Sequence, residues 1–108
     1  MPQYVIIATH KPDLCPIANG TVRARVVAGM STLKSAGVPS PGVTFRVEPL
    51  HLDPSHRTIA IVDAPTIEAV TELVALLGLS LWNEVEVSPA KATFELFSNL
   101  DEVPPLFS

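Results

Sequence analysis

The sequence predicts an α+β fold with the element order β-α-β-β-α-β. Short apolar runs that alternate like strands recur at residues 3–9, 43–52, 56–63 and 80–87. Two longer segments with helical spacing lie between the first and second and between the third and fourth of these runs. Prolines punctuate the element ends at Pro12, Pro16, Pro39, Pro41, Pro54, Pro65 and Pro89.

The first strand, residues 3–9, runs into the loop His10-Lys11-Pro12-Asp13-Leu14-Cys15. Pro16 then fits the first helical position, which needs no N–H, and places Cys15 at the cap. Val22, Val26, Met30 and Leu33 form the apolar stripe of that helix, and Gly37 is its stop. Val38-Pro39-Ser40-Pro41-Gly42 breaks regular structure. In the second strand Val43, Phe45 and Val47 share a face. Asp53-Pro54-Ser55 is a turn into the third strand, with Ile59 and Ile61 on one face. The second helix is capped by Asp63 or Ala64 and carries Ile67, Val70, Leu73, Val74 and Leu77 inward. Gly78 closes it, and Pro89 ends the fourth strand.

This order makes a ferredoxin-like βαββαβ sandwich, a four-stranded antiparallel sheet with both helices on one face. Right-handed crossovers put the first strand beside the third, running the same way, with the second and fourth at the edges. The domain spans residues 1–89. Residues 90–108 add a short helix with Phe94 and Phe97 and an extended tail that packs on the domain or on a partner copy.

At 108 residues there is room for one core. Apolar residues form 47% of the chain and charged residues 17%, so part of the apolar surface should be covered by an oligomer. A net charge of -4 with scattered Lys and Arg argues against nucleic acid as a partner. One cysteine allows no internal disulfide, which suits a reducing compartment. There is no signal-peptide pattern and no apolar run approaching the ~20 residues of a membrane helix. The expected location is cytoplasmic.

Alternation assigns Val5, Ile7, Val43, Phe45, Val47, Ile59, Ile61, Val85 and Val87 to the helix-covered face. The open face then receives Tyr4, Ile6, Ala8, His10, Thr44, Arg46, Glu48, Thr58, Ala60, Val62, Trp82, Glu84 and Glu86. Ile6, Val62 and Trp82 need cover from water, which a second copy packed sheet to sheet supplies. Here the chain resembles the dimeric α+β-barrel superfamily. The segments Thr-His-Lys-Pro-Asp-Leu-Cys-Pro, Asp-Pro-Ser-His, Ala-Pro-Thr-Ile-Glu-Ala-Val and Leu-Trp-Asn-Glu-Val-Glu-Val look like small bacterial members. The resemblance implies homodimers with a cavity in or beside the barrel. Members include cofactor-free monooxygenases, isomerases, haem-handling enzymes and metal-binding proteins, so fold leaves function open.

His10, by its period, faces the barrel interior, as an acid/base near neutral pH, a metal ligand, or a strand-end residue bonded to its loop. At a helix N-cap the dipole would favour the Cys15 thiolate, making it a nucleophile, a redox sensor or a soft-metal ligand, against the plain alternative of a buried inert residue. Glu84, Glu86, Glu48 and Arg46 offer acid/base carboxylates or edge-strand guards. Trp82 either walls an aromatic ligand or packs an interface. With the first and third strands parallel, His10, Cys15, Asp63 and Trp82 gather at one end. His51 and His56 then lie at the other, roughly 20 Å away at ~3.3 Å per residue. On that geometry the three histidines and Cys15 cannot share a metal within one protomer.

No phosphate loop, nucleophile elbow or His-Glu-x-x-His motif is present. The leading expectation is a homodimer, or a higher homo-oligomer, that binds a small, largely apolar organic molecule at the His10 end without a cofactor. Cofactor-independent oxygenation or isomerisation would use His10 as acid/base. Trp82 would wall the pocket, Asn83 or Arg46 would orient a polar substituent, Cys15 would line the mouth, and Glu84 would complete the set. The alternative is a non-catalytic or stress-related binder of Zn, Cu or Ni through His10 and Cys15. A purely structural oligomeric module is the third.

Overall fold

The computed structural model describes residues 1–36, 42–52 and 54–107, the side chains of 32–36 excepted. Strands β1 (Gln3–Thr9), β2 (Thr44–Leu52), β3 (Arg57–Asp63) and β4 (Glu84–Ala90) form one sheet of order β2-β3-β1-β4. Helix α1 (Gly20–Ala36) joins β1 to β2, and α2 (Ile67–Leu76) joins β3 to β4. The α+β class, the element order and the edge positions of β2 and β4 are as expected.

The strand direction is not. β1 and β3 are antiparallel, with Gln3 opposite Asp63 and Thr9 opposite Arg57. The reason is the tight reversal between β2 and β3. A strand that turns straight back must run against its predecessor, and because β2 runs the same way as β1 after the α1 crossover, β3 runs against both. In consequence the ends of β1 and β2 and the starts of β3 and β4 meet at one end of the sheet. Leu52 lies opposite Arg57, and Thr9 lies opposite both Arg57 and Glu84.

Local chemistry moves three element boundaries. α1 begins at Gly20, not Pro16, because Asn19 Oδ1 accepts the N–H groups of Thr21 and Val22 at 3.0 and 3.1 Å. An Asn cap satisfies donors that a thiol cannot. Cys15 instead follows a 3-10 turn, Pro12–Leu14, and its carbonyl accepts from Ala18 and Asn19. It is not at a helix N-terminus, so the dipole argument for its thiolate fails. Thr66, not Asp63 or Ala64, caps α2 through Oγ1 and the Ala69 N–H. Gly78 closes that helix at φ 67, as expected. A 3-10 turn, Leu79–Leu81, precedes β4 and leaves Trp82 and Asn83 in a loop; Pro89 lies within this edge strand. The expected stop at Gly37, residues 38–41 of the expected break and Asp53 of the turn lie outside the described residues, while Gly42, the last residue of that break, has a left-handed φ of 80.

The core sits between the sheet and α2. Tyr4, Ile6, Ala60, Val62 and Val43 pack with Val70, Leu73 and Val74, flanked by Phe45, Val85 and Val87. Burying a side chain such as Leu73 or Val62 contributes about 1.5–3 kcal/mol. The helix-covered face of the two central strands is therefore the reverse of the alternation reading. Tyr4, Ile6 and Ala8 lie beneath the helices, while Val5, Ile7, Ile59 and Ile61 are half-buried on the open face. Both faces of these strands are apolar, so alternation carries no sign there. Val43, Phe45, Val85 and Val87 are on the expected side. Val47 is not: the register shifts after Phe45, and Val47 pairs with Ile61 on the open face.

In the α1 stripe Val22 is buried, Val26 half-buried and Met30 exposed; in α2 Ile67 is exposed. After β4 comes the expected short helix, α3 (Thr93–Leu96), with Phe94 inside it and Phe97 at its C-cap. Residues 91–107 are exposed throughout, Phe94 and Phe107 included. Among the described residues no helix is long and apolar enough to cross a membrane.

Candidate functional site

The reversed β3 brings together side chains that a parallel strand would have held apart. His10 follows β1, His56 precedes β3, His51 is near the end of β2, and Asn83 and Trp82 precede β4. The His10 N–H donates to the His56 carbonyl at 3.1 Å and ties the two loops. The His10 ring lies 5.3 Å from that of His56, edge-on, and 6.2 Å from that of His51, nearly parallel at 21°. Trp82 covers it at 5.1 Å. Cys15 is a buried free thiol. Ligand atoms of His10, Cys15 and His56 all lie within 4.8 Å of one another.

The hydrogen bonds define what His10 presents. Asn83 Nδ2 donates to the Leu79 carbonyl at 3.0 Å, so its Oδ1 points at His10. His10 Nδ1 donates to that oxygen at 3.2 Å. The proton therefore sits on Nδ1 and the Nε2 lone pair is bare. Among the described residues Nε2 is buried without a partner, and so is His56 Nδ1. A buried polar atom with no hydrogen bond costs about 1–3 kcal/mol. Two such nitrogens beside a buried thiol form a donor set that could hold a metal ion. A carbonyl accepting from the far nitrogen is the usual orienting partner of a metal-bound histidine.

Electrostatics agree. Burial, and then the neighbouring His56 and His51, lower the His10 pKa, and they outweigh the Asn83 hydrogen bond that raises it. His10 is thereby kept neutral, the form that binds metal. His56 adopts φ 52, a left-handed backbone uncommon outside glycine. Strained backbone that persists points to a role for its side chain.

The expected site residues divide into two groups. His10, Cys15, Asn83 and Trp82 are together. His10, however, is 6% exposed on the helix side of the sheet, not facing the open face. Glu84 is at the same end but on the open face, opposite Thr9. Arg46 is at the other end, ion-paired with Asp63, which the parallel-strand reading had put beside His10. His51 and His56, expected to lie far away, belong to the cluster. The hairpin reversal was the signal that would have found them. A cavity of about 360 Å³ is lined by His10, Trp82, Asn83 and Glu84 among others.

No family model matches the chain, and no curated protein matches it. Among solved structures it is similar to the crystal structure of At3g17210 from Arabidopsis thaliana. The identity is 17% and the TM-score 0.40, over 86% of this chain and 96% of that one. A likeness at that level carries no argument about family or function.

Proposed function

We propose that this chain is a transition-metal-binding protein whose centre is formed by His10, Cys15 and His56, with Asn83 orienting His10. The observation that carries the reading is the pair of buried, unpartnered imidazole nitrogens, His10 Nε2 and His56 Nδ1, next to the buried Cys15 thiol. One thiolate and two imidazoles suit Zn, Cu or Ni and do not suit Mg or Ca, which prefer oxygen. The ring spacing supports it. With metal–N bonds of about 2.0–2.1 Å, two histidines on a tetrahedral metal hold their ring centres roughly 5.2 Å apart. His10 and His56 are at 5.3 Å.

The small-molecule reading draws on the cavity beside Trp82 and on the neutral His10. It is the weaker of the two. A base must reach its substrate, and His10 Nε2 is buried, while Arg46 lies at the other end of the sheet, paired with Asp63. The proposed assembly is a homodimer in the manner of a ferredoxin-like dimeric α+β barrel. Support comes from the β2-β3-β1-β4 order and from Val5, Ile7, Val47, Ile59 and Ile61 on an uncovered sheet face.

The test is native mass spectrometry with elemental analysis of untagged protein reconstituted with zinc. One metal per chain is expected, lost in Cys15→Ala. A protein that takes up no metal when offered zinc, copper(I) or nickel sinks the reading.

A further inference from the structure

The chain has three histidines and one cysteine in all, and its fold gathers all four at one end of the sheet. Three of them form the compact group described above. The fourth, His51, stands at the side of it. Its register partner is Thr58, on the helix side of β3. Its ring stacks on that of His10 at 6.2 Å. Two ring centres on one tetrahedral metal are roughly 5.2 Å apart, so His51 is about 1 Å too far from His10. His51 is not among the residues whose ligand atoms lie within 4.8 Å of one another, so joining them calls for a rotation about its side-chain bonds. Cys15, His10 and His56 are wholly or partly buried; His51 is exposed. It is on edge strand β2, just past two register shifts that break the regular ladder.

We infer that His51 is the fourth protein ligand, closing a Cys-His₃ shell, and that it is the ligand through which metal enters and leaves. The inference rests on the metal-binding reading and deepens it. Closed four-coordinate shells hold a metal as structure or cargo, whereas catalytic centres keep a position for water or substrate. A shell with three inward ligands and one outer swinging ligand retains its ion and exchanges it by a single detachment. That assigns the centre to holding and handing on a thiophilic divalent or monovalent ion, with no reaction performed on a bound substrate.

Cobalt(II) is the probe, because its visible bands report coordination number and its near-ultraviolet band reports a thiolate ligand. The wild-type chain should show intense four-coordinate bands together with the thiolate band. His51→Ala removes an exposed side chain and should leave the fold intact. It should still bind one cobalt with the thiolate band, but with weakened visible bands as water enters the shell. Release to an excess of chelator should be at least tenfold faster. His51→Cys should restore four-coordinate intensity and strengthen the thiolate band. Wild-type bands and release rate in His51→Ala overturn the fourth-ligand inference while leaving the three-ligand centre standing. Loss of the thiolate band in the wild-type chain itself overturns the underlying metal reading, and this inference with it.

Discussion

Asn83 makes no contact with a metal in the proposed centre, yet its removal should weaken binding in a calculable way. Its Oδ1 accepts from His10 Nδ1 at 3.2 Å, and its own amide is anchored on the Leu79 carbonyl at 3.0 Å. Both residues are buried. In Asn83→Ala the imidazole loses the partner that fixes its tautomer, and the proton is free to occupy Nε2, the nitrogen that must be bare. Removing such an orienting partner costs 10–100-fold in metal affinity as a rule. At about 1.4 kcal/mol per tenfold that is about 1.4–2.8 kcal/mol. The metal-free fold should lose about 1–3 kcal/mol as well, because Nδ1 is left buried and unpaired. Competition against a chromophoric chelator measures the first quantity, and denaturant unfolding of the metal-free protein the second. Asn83→Asp supplies a stronger acceptor and should recover affinity relative to the alanine variant. If Asn83→Ala lowers stability but leaves affinity within about twofold, the Asn83–His10 bond is only structural and the argument for an oriented ligand is refuted.

Two further outcomes follow from the same geometry. His56→Gly relieves a left-handed backbone that costs a side-chain-bearing residue about 1–2 kcal/mol. Metal-free stability should therefore fall by less than about 1 kcal/mol or rise, while affinity drops at least tenfold. A large loss of metal-free stability would make His56 a packing residue. The second concerns pH. The folded His10 pKa is lowered, chiefly by burial, so below about 6.5 the unfolded chain binds the extra proton more readily. The stability of the metal-free protein should be fully present above that value and fall as pH drops through the lowered one. Unfolding of His10→Gln across this range should show a shallower slope; an unchanged slope assigns the pH dependence elsewhere.

Much of this molecule is legible in its residues, and the failures have physical causes. The bounds of β1, the α2 stripe of Val70, Leu73 and Val74, and the closing role of Gly78 follow from periodicity and from backbone freedom at φ 67. The loop with His10 and Cys15 stands out because chemistry-bearing residues follow an apolar strand. What misled was direction. Placing β3 parallel to β1 separated His10 from His56, although the Pro54-Ser55 turn already required the reversal. The face of β1 could not be read, since Tyr4, Ile6 and Ala8 are no more apolar than Val5 and Ile7. Asn19 was hidden as a cap by the more conspicuous Pro16. Asn83 was legible as a polar group near Trp82, but its hold on the His10 tautomer depends on a 3-10 turn that periodicity does not report.

The proposed ligands come from two distant stretches of chain, one just after β1 and the other around the β2–β3 turn. Between Cys15 and His56 run about 40 residues, including α1, whose only buried side chain among those described is Val22. An ion held at both ends would act on that stretch as a cross-link does. By the chain-entropy estimate for a loop of about 40 residues, such a tie disfavours the unfolded ensemble by about 4 kcal/mol. Metal supply would then set the lifetime of this protein against proteases, with α1 as the region that opens first when the ion is withdrawn.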